Sequence, residues 1–475
     1  MRTTTLLALA ASAIPSLVEG LTLHKRADGS PKVVSLSTQR RTITNPLQHD
    51  RLRRRGSVEA SLDNEETLYF VNATLGTPPQ SLRLHLDTGS SDLWVNTPSS
   101  KLCLQNSDPC SFAGTYSANS SSTYEYVGSY FNISYVDGSG ASGDYVSDNI
   151  TIGDSTVDRL QFGVGYSSTS SQGILGIGYP VNEVQVGRAG LEAYNNLPAQ
   201  MAADGLIEAN AYSLWLNDLD SNTGSILFGG VDTEQFTGEL YTLPIQKESG
   251  VYSEFLITLT ALSLGNTTIA SDEALAVLLD SGSSLTYLPD SMVEEIYTMV
   301  DAQYDASEGA AYIPCDLENE SMNLTFTFSG PTIAVEMNEL VLDLVTASGQ
   351  RPTFQDGTEA CLFGIAPAGS STNVLGDTFL RSAYVVYDID NNEISIAQTN
   401  FNATTTNVLE ITAGDDGVPD STDVADAATA TGLGSSSSSS SSGLDVQNSA
   451  PSVDGVVGVL LAGMTAFSVG VLVVL

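Results

Sequence analysis

Two short segments decide how this chain folds: Asp87-Thr88-Gly89-Ser90 and Asp280-Ser281-Gly282-Ser283. The first follows the alternating run 82–86, and the second follows the apolar run 274–279. Alternation is typical of a half-buried strand, and a short continuous apolar run of a strand buried on both faces. A single Asp-x-Gly-Ser is usually only a turn. Two copies, each directly after an apolar strand, predict two similar loops at the ends of two similar strands.

A second apolar element is repeated along with these tetrads. Ile174-Leu175-Gly176 ends 89 residues after Asp87, and Val374-Leu375-Gly376 ends 96 residues after Asp280. The same order at similar spacing predicts two similar lobes, related by a pseudo-twofold axis and separated by a cleft. Short apolar runs broken by Gly, Asn, Asp and Ser predict that the body is mainly β.

One helix is predicted in the second half. Ser291 and Glu294 have the spacing of an N-terminal capping box, and apolar residues follow at helical intervals to about Tyr304. We expect this helix to support the second lobe and to carry no chemistry.

Two aspartates on a twofold axis supply a hydrolytic mechanism. Carboxylates about 3 Å apart cannot both ionise, so they share one proton. The ionised one can accept a proton from a water molecule between them, and the protonated one can donate to a peptide carbonyl oxygen. Asp87 and Asp280 are therefore the predicted catalytic residues, acting without a metal, a cofactor or a covalent intermediate. The residues predicted to shape and hydrogen-bond the two loops are Thr88, Gly89, Ser90, Ser281, Gly282 and Ser283.

With these motifs the chain resembles the pepsin family of aspartic proteases. Within that family it resembles the fungal yapsin-like members that carry a glycosylphosphatidylinositol (GPI) anchor. The similarity covers residues 66–399, and the segment 374–381 resembles the late signature of the family. The resemblance implies a bilobal pepsin-like fold and endopeptidase activity at acidic pH. It also implies that Gly176 and Gly376 lie in strands that thread beside the catalytic loops.

The segment Ser134-Tyr135-Val136-Asp137-Gly138-Ser139-Gly140 resembles the flap of the family, a hairpin that closes over substrate. The resemblance implies that Tyr135 packs on the substrate residue before the cut, with its hydroxyl near the indole N–H of Trp94. Taken alone, the segment indicates an ordinary hairpin tip, and Trp94 a core residue. The residues predicted to bind substrate here are Tyr135, Asp137, Gly138, Ser139 and Trp94.

The charge of the chain restricts its partners. It has 17 Lys and Arg against 56 Asp and Glu, a formal net charge of -39. This balance excludes nucleic acid, which binds clustered cations, and favours a monomer in acidic surroundings. We expect protein or peptide substrates. We also expect Asp137 to favour Lys or Arg before the cut through a charge-assisted contact, with a tolerant apolar preference as the alternative.

The N-terminal part of the chain indicates secretion and activation. Residues 1–20 have the layout of a cleaved secretory signal, with an apolar first strand as the alternative. Residues 21–55 hold nine Lys and Arg against two Asp, which indicates a pro-segment held by charge on the acidic body and cut near Arg55. A disordered basic tail is the alternative. The body is predicted to divide into an N-terminal lobe, 56–240, and a C-terminal lobe, 241–403.

The C-terminal part indicates a surface anchor. Residues 404–448 are rich in Ser, Thr, Ala, Asp and Gly, which predicts a stalk. The last 20 of residues 449–475 carry no charge, and small residues precede them, which predicts a GPI signal with attachment at Asn448. Ser442 and Gly443 are alternative attachment residues, and a single membrane-spanning helix is the alternative anchor. We therefore expect transit through the secretory pathway to the plasma membrane, with transfer to the cell wall left open.

Cysteines and sequons agree with a secreted glycoprotein. Four cysteines allow three pairings, and loop closure favours Cys103–Cys110 and Cys315–Cys361. A zinc site is the alternative, although the chain has only three His and no Cys-x-x-Cys. Eight Asn-x-Ser/Thr sequons mark candidate N-glycosylation sites at Asn72, Asn119, Asn132, Asn149, Asn266, Asn319, Asn323 and Asn402.

Three rival functions are compatible with parts of this pattern. A catalytically silent binding module on the same fold is expected to lose an aspartate or a loop glycine, and both tetrads are intact. A glycosidase also uses two carboxylates, but it does not explain the twofold repeat. A structural cell-wall glycoprotein leaves the repeated tetrads unexplained.

Overall fold

Most of the described chain is β-sheet. The computed structural model describes residues 32–41, 68–135, 139–221, 223–306, 309–344 and 350–433. The strands of the first half are β1 (Val34–Arg41), β2 (Leu68–Leu75), β3 (Gln80–Asp87), β4 (Leu93–Asn96), β5 (Glu125–Ser134), β6 (Gly140–Ile152), β7 (Ser155–Ser168), β8 (Gly173–Gly176), β9 (Ala211–Trp215), β10 (Thr223–Phe228), β11 (Gly230–Asp232) and β12 (Phe236–Pro244).

The second half continues in the same way, with few helices among the described residues. Its strands are β13 (Leu256–Leu259), β14 (Ala261–Leu264), β15 (Thr267–Ala270), β16 (Leu275–Leu279), β17 (Thr286–Leu288), β18 (Gln303–Asp305), β19 (Ala310–Pro314), β20 (Asn323–Thr327), β21 (Thr332–Glu336), β22 (Val341–Leu342), β23 (Ala360–Phe363), β24 (Ile365–Pro367), β25 (Asn373–Leu375), β26 (Ala383–Asp388), β27 (Glu393–Thr399), β28 (Val408–Glu410) and β29 (Ser421–Asp423). The α-helices of the described chain are α1 (Val184–Ala189), α2 (Leu197–Ala203), α3 (Asp290–Val300), α4 (Met337–Leu340) and α5 (Asp377–Leu380).

One large sheet joins the two halves of the chain. It has 14 strands in the order β29-β12-β27-β26-β9-β10-β1-β2-β3-β8-β4-β7-β6-β5. The second half adds a 5-stranded sheet in the order β13-β16-β25-β17-β24 and two 4-stranded sheets. Because β9 pairs with β26, and β12 with β27, strands of both halves share the large sheet. The predicted lobe boundary at 240/241 therefore falls inside a shared strand and not between two separate bodies.

The predicted twofold repeat appears in the strand pairing. β3 runs parallel to β8, β8 antiparallel to β4, and β4 parallel to β7. In the second half, β16 runs parallel to β25, β25 antiparallel to β17, and β17 parallel to β24. Asp87 lies opposite Gly176, and Leu279, which precedes Asp280, lies opposite Leu375. The predicted mainly β, two-lobed fold is therefore confirmed, and both apolar-Gly elements thread beside the aspartate loops.

Close backbone contact explains why glycine ends both threading elements. A Cβ on Gly176 would lie 2.6 Å from the backbone nitrogen of Asp92, and one on Gly376 would lie 2.3 Å from the carbonyl oxygen of Leu285. Real Cβ atoms do not approach backbone this closely, so any larger residue would push the threading strand away from the aspartate loop. The absence of a side chain at both glycines thus allows each threading strand to lie against its aspartate loop.

The two strands that carry the aspartates are anchored in the hydrophobic core. In β3 the side chains of Leu82, Leu84 and Leu86 are buried while Ser81 and Arg83 are exposed, as the alternation predicts. His85, which the alternation sets on the exposed face, is buried as well. The residues of β16 from Ala276 to Leu279 are all buried, as a continuous apolar run predicts. Burial of these apolar side chains fixes the strand ends and therefore the position of the loops.

The helix predicted after Pro289 exists, but its ends differ. α3 begins at Asp290 with Pro289 as the N-cap, and no side chain caps it. It ends at Val300, because Asp301 adopts a left-handed conformation with φ 54°. The chain then forms β18, so the prediction of a Ser291 cap and of helix to Tyr304 is wrong. Because the helix begins at Asp290, Ser291 lies inside its first turn and is not at the N-cap position.

Part of the predicted pro-segment is a strand of the large sheet. β1 pairs antiparallel with β10 on one side and with β2 on the other. The side chains of Val34, Leu36 and Thr38 are buried. Backbone hydrogen bonds and apolar burial therefore hold this segment, in addition to any attraction between charges.

The predicted start of the stalk at residue 404 is wrong for the described part of that segment, which extends to residue 433. β28 pairs with β11, and β29 runs parallel to β12. Ile411 is fully buried, and Val418 packs in the same apolar cluster. The segment covers β12, which would otherwise be an edge strand of the large sheet. Residues 434–448, also assigned to the stalk, lie outside the described chain.

No helix in the described parts of the chain is long and apolar enough to cross a lipid bilayer. The predictions for the secretory signal and the GPI signal, with Asn448, Ser442 and Gly443, concern residues outside those parts.

Substitution at Ile411 tests the docking of residues 404–433. Ile411→Ala should lower the free energy of unfolding by about 2–5 kcal/mol, because it removes buried apolar volume. Thr406→Ala, at an exposed position of the same segment, should change it by less than about 0.5 kcal/mol. Urea denaturation of both variants gives the comparison. Equal, near-zero effects would mean that the segment is a stalk after all.

Candidate active site

Asp87 is held in place by its own loop. It ends β3 and is fully buried. The backbone N–H of Gly89 donates to Oδ1 of Asp87 at 2.9 Å, and the hydroxyl of Ser90 donates to Oδ2 at 2.6 Å. These two donors fix the plane of the carboxyl group.

Asp280 is held in the same way. The backbone N–H of Gly282 donates to its Oδ1 at 2.8 Å, and the hydroxyl of Ser283 donates to its Oδ2 at 2.7 Å. The carboxyl group is buried, with 6% of the residue exposed. The two tetrads thus build two equivalent carboxyl sites, as their identical spacing predicts.

Crossed hydrogen bonds join the two loops. The hydroxyl of Thr88 donates to the carbonyl of Leu279 at 2.9 Å and accepts from the backbone N–H of Ser281 at 2.9 Å. The hydroxyl of Ser281 donates to the carbonyl of Leu86 at 3.0 Å and accepts from the N–H of Thr88 at 3.2 Å. Each hydroxyl therefore connects its own loop to the strand and the loop of the other half.

The loops meet close to the carboxyl groups. A Cβ built on Gly89 would lie 2.5 Å from Oδ1 of Asp280, so only glycine leaves room for that carboxyl group. The structure thus brings together Asp87, Asp280 and the loop residues predicted from sequence. Among the residues it describes, no cluster of His, Cys, Asp and Glu is arranged to bind a metal ion.

The contact and the hairpin expected for the flap segment are present where the chain is described. The indole N–H of Trp94 donates to the hydroxyl of Tyr135 at 2.7 Å. The N–H of Tyr135 donates to the carbonyl of Ser139 at 2.9 Å, and Ser134 pairs with Gly140, so the segment is a hairpin. Trp94 is fully buried, so it packs in the core as well. Asp137 and Gly138 lie outside the described residues.

Sequence reasoning missed a buried acidic network behind Trp94. Asp92 accepts hydrogen bonds from the hydroxyl of Tyr145 at 2.6 Å, the hydroxyl of Tyr194 at 3.0 Å and the N–H of Val184 at 2.8 Å. The only sequence signal is that Asp92 stands two residues before Trp94. Burial raises the pKa of Asp92 despite these donors.

Glu183 is the second carboxyl group of this network. One of its oxygens accepts from the N–H of Tyr194 at 2.9 Å. Burial and the nearby charge of Asp92 raise the pKa of Glu183 to about 9. The network packs against Trp94 through Phe131 and Tyr145, whose ring centroids are 5.2 Å apart, so it supports the residue that holds the flap tyrosine.

The structure places the four cysteines and the sequon asparagines. Both predicted disulfides, Cys103–Cys110 and Cys315–Cys361, are present, so the zinc alternative is wrong. Two sequon asparagines are partly buried, Asn149 and Asn323. The exposed ones are Asn72, Asn119, Asn132, Asn266, Asn319 and Asn402. The amide of Asn402 donates to Asp218 at 3.1 Å.

Comparison with known proteins gives the class. The family model described as "Eukaryotic aspartyl protease" matches residues 68–399. "Probable aspartic-type endopeptidase opsB" from Aspergillus oryzae is 58% identical over 418 residues, covering 86% of this chain and 84% of the relative. An "Acid protease" from Saccharomycopsis fibuligera is 37% identical over 351 residues, covering 72% of this chain and 84% of the relative.

A solved structure agrees with the fold. The crystal structure of an aspartic proteinase from Irpex lacteus matches with a TM-score of 0.60 at 22% identity, over 79% of this chain and all of that one. This likeness concerns the fold alone. Together with the matches in sequence, it shows that the chain belongs to the pepsin-like eukaryotic aspartyl protease family. Its activity is that of an aspartic-type endopeptidase, a hydrolase.

The pKa of Glu183 predicts how stability depends on pH. The folded protein keeps this proton up to about pH 9, whereas the unfolded chain loses it near the ordinary value of 4.5. The free energy of unfolding should therefore fall as pH rises between these values, with a slope of at most about 1.4 kcal/mol per pH unit from this group. Glu183→Gln should make the decline shallower in urea denaturation from about pH 5 to pH 8.

Glu294→Gln provides the control, because Glu294 is exposed on α3. It should leave the pH profile unchanged. If Glu183→Gln and the control behave alike, Glu183 does not hold a proton in the folded state.

Proposed function

We propose that this endopeptidase cuts peptide bonds with a water molecule held between Asp87 and Asp280. The observation that carries the proposal is the contact of the two loops, where Gly89 lies against the carboxyl group of Asp280. Each of the two carboxyl groups accepts two hydrogen bonds that it would lose by rotating. These bonds therefore fix the orientation of both groups. A site that is already ordered needs no reorganisation when the reaction begins.

The pair supplies both proton transfers of amide hydrolysis. The ionised carboxylate removes a proton from the water as its oxygen attacks the peptide carbon. The protonated carboxyl group donates to the carbonyl oxygen, which gives a tetrahedral diol. The carboxyl group that took the proton of the water then donates it to the amide nitrogen, and the C–N bond breaks. The other carboxylate takes a proton from a hydroxyl of the diol, which becomes the new carboxylic acid, so the pair again holds one proton. The reaction therefore consumes one water molecule and leaves the pair ready for the next turnover.

Substrate would lie across both aspartates as an extended peptide under the hairpin that carries Tyr135. The hydrogen bond from Trp94 ties the Tyr135 ring to β4, the strand that follows the Asp87 loop. We therefore assign the residue before the cut to the Tyr135 side, with Asp137 favouring Lys or Arg there. Profiling of cleaved bonds between about pH 4 and pH 6 tests this preference. Absence of basic residues before the cut would contradict it.

Asparagine substitution tests the pair itself. Asp87→Asn and Asp280→Asn should each lower kcat/KM for peptide cleavage by about 100- to 10,000-fold, because each removes one proton transfer. Asp158→Asn, which removes one exposed charge, is the control and should leave kcat/KM unchanged. A statine-type peptide should inhibit the parent enzyme.

Undiminished cleavage by either asparagine variant would place the chemistry elsewhere. No cleavage by the parent enzyme, with normal folding, would favour the alternative of a silent binding module or a cell-wall glycoprotein.

The position of β1 in the large sheet supports the proposal that the chain is made as an inactive zymogen. β1 lies in the middle of the large sheet, and the basic cluster Arg53-Arg54-Arg55 separates it from β2 in sequence. Cleavage near Arg55 would free β1 to leave, and acid would assist by removing negative charge from the body. N-terminal sequencing of the active enzyme tests this. A mature chain that begins before residue 32 would contradict a pro-segment.

A surface location as a yapsin-like, GPI-anchored glycoprotein completes the proposal. Two disulfides, six exposed sequon asparagines and the uncharged stretch 456–475 support it. Release from intact cells by a phosphatidylinositol-specific phospholipase, together with a loss of mass after N-glycosidase treatment, would agree with it. Retention in the cytosol without glycans would contradict it.

A further inference from the structure

The hairpin that carries Tyr135 is irregularly paired at its root. The register between β5 and β6 shifts on both sides of Gly128, the residue that pairs with Tyr145. The register between β6 and β7 shifts between Ser142 and Gly143, closer to the tip of the hairpin. Such shifts bend a strand and interrupt its ladder of hydrogen bonds. The ladder alone therefore does not fix the direction in which the hairpin points.

Aromatic contacts connect Tyr145 with the flap tyrosine across this irregular stretch. The ring of Tyr145 is fully buried and meets the edge of the Phe131 ring, with centroids 5.2 Å apart. The centroid of the Phe131 ring lies 6.5 Å from that of Trp94, whose indole N–H donates to the hydroxyl of Tyr135. Edge-to-face contacts of this kind prefer a definite geometry. A displacement of Tyr145 would therefore be passed on to Tyr135.

Asp92 ties Tyr145 to the segment that carries the first catalytic aspartate. It stands between Asp87 and Trp94 in the sequence. Its main-chain carbonyl accepts from the N–H of the threading glycine Gly176 at 3.1 Å. Its carboxyl group is buried, and Oδ1 accepts from the hydroxyl of Tyr145 at 2.6 Å. One residue thus connects the catalytic loop and the threading strand with the root of the flap.

Two further donors fix the orientation of the Asp92 carboxyl group. The hydroxyl of Tyr194 donates to Oδ1 at 3.0 Å, and the N–H of Val184 donates to Oδ2 at 2.8 Å. Both oxygens are occupied, so the group could turn only by giving up all three bonds. Burial strengthens these bonds, because water does not compete for the donors. The position of the Tyr145 hydroxyl is therefore well defined.

We infer that Asp92 is a positioning residue of the proteolytic reaction, which holds the root of the flap in the place from which Tyr135 reaches the substrate. It acts through the hydroxyl of Tyr145 and the rings of Phe131 and Trp94. Without this tie the hairpin takes up more directions, and a smaller fraction of the enzyme has Tyr135 in place. The value of kcat/KM falls with that fraction. The inference rests on the proposed function in one respect, the contact of Tyr135 with substrate.

The test is a double-mutant cycle on kcat/KM for one peptide substrate at a fixed acidic pH. Rates are expressed per folded enzyme, with the folded fraction measured by circular dichroism. Asp92→Ala should lower kcat/KM by about tenfold or more, because a small misplacement of a group that positions the substrate is costly. Tyr135→Ala removes the ring itself and should also lower kcat/KM. Asp92→Ala added to Tyr135→Ala should then change kcat/KM by less than about twofold, because no flap ring is left to position.

Three further variants separate positioning from a loss of stability. Asp148→Ala is the matched control, because Asp148 is fully buried in β6 and accepts from the hydroxyl of Tyr116 at 2.6 Å. It should destabilise the fold but leave kcat/KM per folded enzyme within about twofold of the parent value. Asp92→Asn keeps an oxygen that accepts from both tyrosine hydroxyls and should retain most of the activity. Tyr145→Phe removes only the hydroxyl and should lower kcat/KM by about threefold, which tests the tie even if Asp92→Ala does not fold.

Three results would overturn the inference. The first is an unchanged kcat/KM in Tyr145→Phe and in folded Asp92→Ala. The second is a loss in Asp92→Ala that multiplies fully with the loss in Tyr135→Ala, because the two residues then act independently. The third is an equal loss in Asp148→Ala, which would mean that any cavity in this lobe slows the enzyme. If Tyr135→Ala itself leaves kcat/KM unchanged, the proposed contact of the flap with substrate is wrong, and the inference fails with it.

Discussion

The crossed hydrogen bonds of Thr88 and Ser281 are the constraint on which the rest of this site depends. Two hydroxyl groups 193 residues apart in sequence each donate to a strand carbonyl of the other half and accept from the other loop. All four bonds would break together if one loop moved, so they act as a unit. They hold the two aspartate loops against each other.

The strand arrangement behind each loop makes that constraint possible. Each aspartate loop follows the end of a buried strand, β3 or β16. Beside each of these runs a second strand, β8 or β25, whose apolar-Gly element threads beside the loop. Gly176 and Gly376 allow a backbone contact that a side chain would prevent. The hydrophobic core therefore fixes the strands, the strands fix the loops, and the hydrogen bonds between loops set the spacing of the carboxyl groups.

Buried carboxyl groups recur around this centre. Besides that of Glu183, burial raises the pKa of Glu254 to about 7. Burial also raises the pKa of Asp388 and, with the charges of Asp388 and Asp423, raises that of Glu393 to about 7. Asp423 belongs to β29, so the segment that docks after residue 404 adds negative charge beside Glu393. The neutral forms of these groups are favoured in the folded state, so their contribution to the free energy of unfolding is largest at acidic pH.

What could be predicted from sequence was local or repeated. The tetrads and their spacing from the threading glycines could be predicted because a repeat implies equivalent surroundings. The Cys103–Cys110 disulfide could be predicted because it closes a short loop, and the Cys315–Cys361 disulfide because it pairs the remaining two cysteines within one half of the chain. The docking of residues 404–433 could not be predicted from composition, because a few apolar residues such as Ile411 bury only where a sheet edge is available. The helix end at Val300 was missed because Asp301 turns left-handed and the chain continues as β18.

The sequence by itself determined that two equivalent aspartate loops exist and that the chain is acidic. Only the tertiary structure decided which residues surround those loops. Asp92, Glu183 and Glu254 look like ordinary acidic residues in the sequence, because a carboxyl group has no distinctive chemistry until its neighbours remove water and supply or withhold a partner. Their surroundings come from strands and helices distant in the chain, and long-range pairing is what a local pattern does not encode.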